Sequence, residues 1–143
     1  MATASDASRD PAPSICILRT DSVLEQFQPE HGDYPDMFTA LLQDVDPELE
    51  ISAVDVRLGS PVQVEHDAYL ITGSRHSVYD ELVWIQPLVS FLQRVLAADK
   101  KVIGICFGHQ LMAHYFGGEV TPAQGGWAVG AHTSTLVARS RCQ

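Results

Sequence analysis

Residues 102–118 read VIGICFGHQLMAHYFGG, and this stretch decides the fold. Residues 102–105 are apolar and predict a buried strand. Residues 109–116 carry apolar side chains at helical spacing, and two glycines after them are expected to end that helix. Cys106 therefore stands where a strand turns sharply into a helix.

Glycines on both sides of Cys106 form the pattern G-x-C-x-G, with Gly104 before it and Gly108 after it. A nucleophile on a strand-to-helix turn has a strained backbone, and neighbouring side chains would collide there. Glycine removes those collisions, and the turn aims the next amides and the helix N-terminus at a bound substrate. A cysteine taken alone is as often a small buried hydrophobe. The glycines, strand and helix around Cys106 favour a nucleophile.

The rest of the chain alternates predicted strands with predicted helices. Apolar runs at 14–20, 49–56 and 67–72 predict three further strands, and helical periodicity predicts helices over 34–42 and 84–98. Residues 28–35 hold Pro, Gly and Asp and are expected to form a loop. Pro87 is compatible with its helix only in the first turn. This alternation predicts an α/β fold of three layers, a mostly parallel sheet with helices on both faces.

Composition and charge exclude several classes of protein. The 143 residues are 45% hydrophobic and carry a net charge of −9, so binding of nucleic acid by a basic patch is not expected. No apolar run approaches the roughly 20 residues of a membrane-spanning helix. Residues 1–13 are predicted to be a disordered leader without the apolar core of a secretory signal. Three scattered cysteines form no disulfide framework, which favours a reducing, cytoplasmic location.

The segment GICFGHQ, residues 104–110, is similar to the G-x-C-x-G-x-Q signature of class I glutamine amidotransferases. ITGS at 71–74 resembles the loop that precedes their nucleophile strand. GGWAVG at 125–130 resembles a Gly-Trp stretch of members similar to the amidotransferase part of GMP synthase, and plant γ-glutamyl peptidases look close as well. The resemblance covers residues 15–137 and implies a flavodoxin-like fold, with 14–143 as the N-terminal part of such a domain.

The resemblance also implies roles for individual residues. Cys106 matches the nucleophile that attacks the side-chain amide of glutamine, and the backbone N–H groups of Gly73 and Phe107 match the oxyanion-hole donors. Gln110 matches a residue that helps hold the substrate. The alternative interpretations, which we favour less, are a simple turn glycine for Gly73 and an ordinary helix residue for Gln110. Both Gly73 and Cys106 follow predicted strands, where sites form in parallel sheets.

The family pairs its thiol with a histidine oriented by an acid, in a later His-x-Glu motif. The sequence reaches Gln143 without that motif, so the fold is expected to be incomplete at its C-terminus. We weigh a truncated gene product against a natural short form and favour truncation. None of the six histidines has an H-x-E arrangement or metal-ligand spacing, so no metal and no cofactor are expected. They are His31, His66, His76, His109, His114 and His132.

The sequence is compatible with three functions. The first is a glutamine amidotransferase-like domain that hydrolyses the γ-amide of glutamine in its full-length form, while this chain alone is expected to be inactive. The second is a γ-glutamyl peptidase with the same nucleophile, and the third is a catalytically silent interaction module. Expected partners are glutamine or a γ-glutamyl compound, with self-association through an exposed sheet or binding to a synthetase subunit.

Overall fold

Four parallel strands form one sheet in the computed structural model, which describes residues 11–137. The order across the sheet is β2-β1-β3-β4, so β2 forms on one side of β1, and β3 and then β4 are added on the other side. The strands are β1 Ser14–Arg19, β2 Glu50–Asp55, β3 Ala68–Ile71 and β4 Lys101–Gly104. The helices are α1 Gln28–His31, α2 Tyr34–Val45, α3 Ile85–Ala97 and α4 Phe107–Tyr115.

One face of the sheet is covered by α3 and α4. Side chains of the central strands, such as Leu18 and Ile71, are 0% exposed there. Tyr69 of β3 meets Phe91 of α3 edge to face, with 5.2 Å between ring centroids. Leu111 of α4 completes the same buried cluster. This face holds most of the apolar core and fixes α4 over the strand that precedes it.

The opposite face is covered by α2. Ile17 of β1 pairs in register with Leu70 of β3, and both are buried under Phe38 of α2. An Asp33 and Asp36 capping box begins this helix, which satisfies backbone N–H groups that would otherwise lack partners. Ile103, in register with Leu70, remains 38% exposed because α2 does not reach as far as β4.

The three-layer α/β fold with a parallel sheet and helices on both faces is confirmed. The predicted strands and long helices appear with bounds shifted by at most three residues. The loop expected over 28–35 is wrong in part, because residues 28–31 form α1, with proline in its first turn. Most of the predicted leader 1–13, and the end of the chain from 138 on, lie outside the described residues.

No helix in the part of the chain that the structure describes is long and apolar enough to cross a membrane.

Candidate active site

Cys106 lies in the turn between β4 and α4. Its backbone has φ 50° and ψ −103°, in the left-handed half of conformational space that non-glycine residues rarely enter. Such a conformation costs on the order of 1–3 kcal/mol and persists only where the surroundings enforce it. Cys106 is the N-cap of α4, and its carbonyl accepts a hydrogen bond from the Gln110 N–H at 3.0 Å. The helix therefore begins two residues earlier than the sequence indicated.

The two glycines of the motif are required by close backbone contacts. A Cβ at Gly104 would lie 2.6 Å from the carbonyl carbon of Gly108. A Cβ at Gly108 would lie 2.6 Å from the carbonyl oxygen of Ile71 on β3. No real Cβ atom tolerates backbone at such distances, so α4 packs directly on the two strands beneath it. This contact holds the elbow in its strained form.

Two clefts meet at Cys106, which is exposed. The first has a volume of about 690 Å³ and is mostly apolar, lined by Leu24, Phe27 and Phe38 among others. The second has a volume of about 600 Å³, and Gln110 and Trp127 are among the residues that line it. The loop after β3 borders both clefts. A bound molecule can therefore reach the thiol from either side.

Gly73 begins the loop after β3 and lies beside Cys106. A Cβ built on Gly73 would lie 3.5 Å from the Cys106 Cβ, which is an ordinary contact. Gly73 also lies beside Thr20, which directly follows β1. The Thr20 hydroxyl lies 3.0 Å from the Gly73 carbonyl oxygen. The structure therefore brings Gly73 and Cys106 together as the sequence indicated.

Asp21, two residues after the end of β1, anchors the same loop. Its carboxylate accepts hydrogen bonds from the Arg75 backbone N–H at 2.8 Å and from the Arg75 guanidinium at 2.8 and 3.0 Å. Bidentate pairing of this kind fixes orientation as well as distance. The Asp21 side chain is only 5% exposed, whereas that of Arg75 is 58% exposed. The loop that carries Gly73 is therefore clamped two residues downstream.

Charges continue from Asp21 along the ends of the strands. Arg57 lies 3.6 Å from Asp21 and pairs with Asp55 at 2.7 Å, and Arg19 pairs with Asp55 at 2.6 Å. Arg19 also reaches Asp33, the N-cap of α2, at 2.8 Å. Alternating charges thus connect the loop after β3 to the start of α2.

The arginines keep the acids of this network ionised. Burial alone raises the pKa of Asp21, but hydrogen bonds from Arg75 and from backbone N–H groups outweigh it and lower the pKa. Hydrogen bonds from Arg57, and then from Arg19, hold the pKa of Asp55 well below its usual range. The network therefore stays charged at neutral pH.

The backbone N–H groups of Gly73 and Phe107, which the family resemblance implies as oxyanion-hole donors, have no hydrogen-bond partner among residues 11–137. The same holds for the N–H groups of Ser74, Cys106 and His109, so free amides surround the thiol. The Phe107 ring is buried against Trp84, with 5.6 Å between ring centroids. The Phe107 backbone N–H is the first of α4. Gln110 is exposed and lines the second cleft.

Within the described residues, no histidine hydrogen-bonds to the Cys106 sulfur. His76 lines the second cleft, where its Nδ1 lies 3.9 Å from Asp80. His114 contacts the ring of Tyr115. No group of three or more potential metal ligands occurs between residues 11 and 137.

Sequence reasoning missed Thr20, Asp21 and Thr72. Thr20 and Thr72 are the last residues of predicted strands and Asp21 directly follows one, which was the available signal. Their partnership depends on β1 and β3 being neighbours, and only the strand order establishes that.

Comparison with known proteins identifies a family. Residues 33–140 match the model of the glutamine amidotransferase class-I family. Gamma-glutamyl peptidase 4 of Arabidopsis thaliana is 34% identical over 98 residues, which cover 67% of this chain and 39% of that protein. A putative glutamine amidotransferase-like protein of Schizosaccharomyces pombe is 31% identical over 137 residues, covering 86% of this chain and 54% of that protein. The chain thus spans about half the length of these relatives or less.

A solved structure shares the fold. The crystal structure of a glutamine amido transferase from Methylobacillus flagellatus aligns with a TM-score of 0.56 and 23% identity. The alignment covers 80% of this chain and 42% of that one. The parallel sheet and its helices are therefore a known arrangement.

Proposed function

The chain belongs to the glutamine amidotransferase class-I family, and we propose that its Cys106 attacks the γ-carbonyl carbon of a γ-glutamyl amide. One observation carries the proposal. Cys106 holds a positive φ of 50° at the junction of β4 and α4, and its exposed thiol opens into two clefts. Strain of this kind at an exposed nucleophilic side chain is typical of a catalytic elbow.

The chemistry is an acyl transfer to sulfur. The Cys106 thiolate adds to the γ-carbonyl carbon, and the carbonyl oxygen takes up the negative charge. The N–H groups of Gly73 and Phe107 stabilise that oxygen, and a single donor of this kind contributes about 10²–10³-fold in rate. The carbon–nitrogen bond then breaks, the nitrogen takes a proton and leaves, and a γ-glutamyl thioester remains. Water attacks the thioester, which releases glutamate and restores the thiol.

Gln110 is assigned to substrate binding in this proposal. Gln110 lies one helical turn after Cys106. It lines the second cleft together with Trp127. Its amide offers both a donor and an acceptor to a bound glutamyl group. Glutamine is the first substrate we propose, with ammonia as the leaving group.

A γ-glutamyl peptide is the second candidate substrate. Gamma-glutamyl peptidase 4 of Arabidopsis thaliana is among the relatives, and the apolar first cleft next to Cys106 offers room for a leaving group larger than ammonia. Comparison of glutamine with γ-glutamyl dipeptides, as competitors for the same thiol, separates the two candidates.

The test uses γ-glutamyl 4-nitroanilide. The 4-nitroanilide anion is a much weaker base than the amide anion of ammonia, so its departure from the tetrahedral intermediate depends far less on a proton donor. We expect release of 4-nitroaniline, with a glutamyl thioester on Cys106 in the mass spectrum. Cys106→Ala should abolish both, and Cys16→Ala, at a buried thiol, should leave both intact. Absence of acylation in the folded wild-type chain would contradict the proposal and favour a silent interaction module.

Partners and location remain predictions. Among the described strands β4 is an edge, and Ile103 and Ile105 near that edge are each 38% exposed. This edge is where we expect either a second copy or a synthetase subunit to bind. A cytoplasmic location and the domain boundary at residue 14 also stay predictions.

A further inference from the structure

Two buried threonines join the ends of β1 and β3 beside the elbow. Thr20 and Thr72 are each 0% exposed, and their hydroxyl oxygens lie 3.0 Å apart. The Thr20 N–H donates to the Thr72 hydroxyl at 3.0 Å, and the Thr20 hydroxyl lies 3.1 Å from the Thr72 carbonyl oxygen. The side chains thus take the place of the next backbone pairing between the two strands.

Strand alternation gives the direction of the Gly73 amide. The Ile71 carbonyl faces β4, where it accepts from the Ile105 N–H at 3.0 Å. The Thr72 N–H faces β1, where it donates to Leu18 at 3.2 Å, and the Thr72 carbonyl faces Thr20 on the same side. No peptide bond among residues 11–137 is cis, and a trans peptide places its N–H opposite its carbonyl. The Gly73 N–H therefore points away from β1, toward β4 and Cys106.

Only one arrangement of the two hydroxyl protons gives a donor to both the Thr72 carbonyl and the Gly73 carbonyl. Each threonine has a single hydroxyl proton. If the Thr20 proton goes to the Thr72 carbonyl, the Thr72 proton is free for the Gly73 carbonyl, which lies 3.1 Å away. The Thr72 oxygen still accepts from the Thr20 N–H. The peptides on both sides of the Gly73 Cα are then each held by a hydroxyl.

We propose that Thr20 and Thr72 are positioning residues, whose hydroxyls hold the Thr72–Gly73 peptide so that its N–H is aimed at an oxyanion formed on a substrate bound to Cys106. The inference rests on the proposed function and deepens it. Neither threonine lines the two clefts at Cys106. They act through the peptide, because a rotated Thr72 carbonyl would lose its partner in a site that water does not reach.

The test compares two reactions of the same sulfur. Acylation by γ-glutamyl 4-nitroanilide passes through an oxyanion and depends on the Gly73 amide. Alkylation by iodoacetamide displaces iodide at a saturated carbon and forms no oxyanion. A purely structural role for the threonines would change both rates together, whereas a positioning role changes only the first.

Thr20→Val removes the hydroxyl and keeps the shape of the side chain, whereas Thr20→Ser keeps the hydroxyl. For Thr20→Val we expect acylation to slow about 10–100-fold, since complete loss of one oxyanion donor costs about 10²–10³-fold. Iodoacetamide alkylation should stay within about twofold of wild type, and Thr20→Ser should acylate nearly as fast as wild type. Thr39→Val, at a threonine of α2 that lines neither cleft, is the matched control. Equal losses in both reactions, or no loss in acylation, would overturn the proposal.

A second measurement does not depend on acylation. If wild-type protein is not acylated, the proposed function fails, and the Gly73 amide is then followed by ¹⁵N–¹H NMR. Thr20→Val should shift the Gly73 signal more than the Phe107 signal, and Thr20→Ser should return it toward its wild-type position. An unmoved Gly73 signal in folded Thr20→Val would contradict the positioning role.

Discussion

Gly108 of α4 packs directly against Ile71 of β3. A Cβ at position 108 would lie 2.6 Å from the Ile71 carbonyl oxygen and 2.7 Å from the Ile71 Cβ. The same carbonyl oxygen accepts the Ile105 N–H at 3.0 Å, so it cannot move away without breaking the link to the elbow. The packing of α4 on β3 and the conformation of the turn that carries Cys106 therefore depend on each other.

Gly108→Val should destabilise the fold by about 1–3 kcal/mol, because α4 must shift off β3. Gly125→Val is the control, since a Cβ at Gly125 would meet nothing within 4 Å. Chemical unfolding in urea measures both. A Gly108→Val protein with the same midpoint as Gly125→Val and wild type would mean that no tight elbow exists.

Asp21→Asn should destabilise the protein at pH 7 by about 1–2 kcal/mol, because a carboxamide cannot replace all the charged hydrogen bonds from Arg75. Asp44→Asn, at an exposed acid on α2 whose side chain makes no hydrogen bond to the described residues, should change stability little. Urea unfolding at pH 7 separates the two. Equal midpoints for Asp21→Asn and Asp44→Asn would contradict the clamp on the loop after β3.

The same variants predict a pH dependence. The pKa of Asp21 is lowered in the folded chain, so its contribution is complete above the unfolded pKa of about 4 and is lost as pH falls toward the folded value. The pKa of Asp55 is also lowered in the folded chain, so its contribution to stability is lost over the same direction of pH change. Wild-type stability should therefore fall between pH 5 and pH 3, and the gap between wild type and Asp21→Asn should narrow. A gap that widens on acidification would reverse the assigned sign.

Cys106 should react with iodoacetamide far faster than Cys16 in the folded protein. Cys106 is exposed, whereas Cys16 is 1% exposed and burial raises the pKa of its thiol. Mass spectrometry of digested protein gives the two rates over a range of pH, and the urea-unfolded chain, where both react alike, is the reference. Faster labelling of Cys16 would contradict the elbow. Cys142 lies outside the described residues, and its labelling is measured on a separate peptide of the digest.

Glutamine hydrolysis by this chain alone should be slow. The described residues include the proposed nucleophile and the two proposed amide donors, but no described histidine hydrogen-bonds to Cys106. Removing the base of a catalytic triad costs several orders of magnitude, and about 10³–10⁴-fold over water remains. An ammonia-release assay measures this. Turnover on the order of 1–10³ per second, lost in Cys106→Ala, would show that His76 or another group serves as base.

Sequence periodicity was enough for the strands, the long helices and the position of Cys106 between them. It was not enough for α1, because Pro29 and Gly32 are equally compatible with a loop and with one helical turn. The first turn of α4 was also missed. Gly108 has poor helix propensity, and only its contact with Ile71 explains why a helix includes it.

The candidate site was predictable where it is local in sequence, as at Gly104, Cys106 and Gly108. The supports of the loop at Gly73 were not, because Thr20 and Asp21 come more than fifty residues earlier. Their contacts require β1 to lie next to β3, an order that apolar patterns do not encode. Tertiary neighbours of this kind appear only when the sheet is assembled.

The most direct test of the central claim is affinity labelling with a chloromethyl ketone analogue of glutamine, in which the chloromethyl group replaces the amide nitrogen. If Cys106 is the nucleophile of a γ-glutamyl site, labelling should saturate with reagent concentration, fall on Cys106 alone, and slow in the presence of glutamine but not of asparagine. Iodoacetamide labelling of the same thiol should show no saturation. Chloroketone labelling that stays linear with concentration, ignores glutamine, or distributes over Cys16 and Cys106 alike would contradict the account.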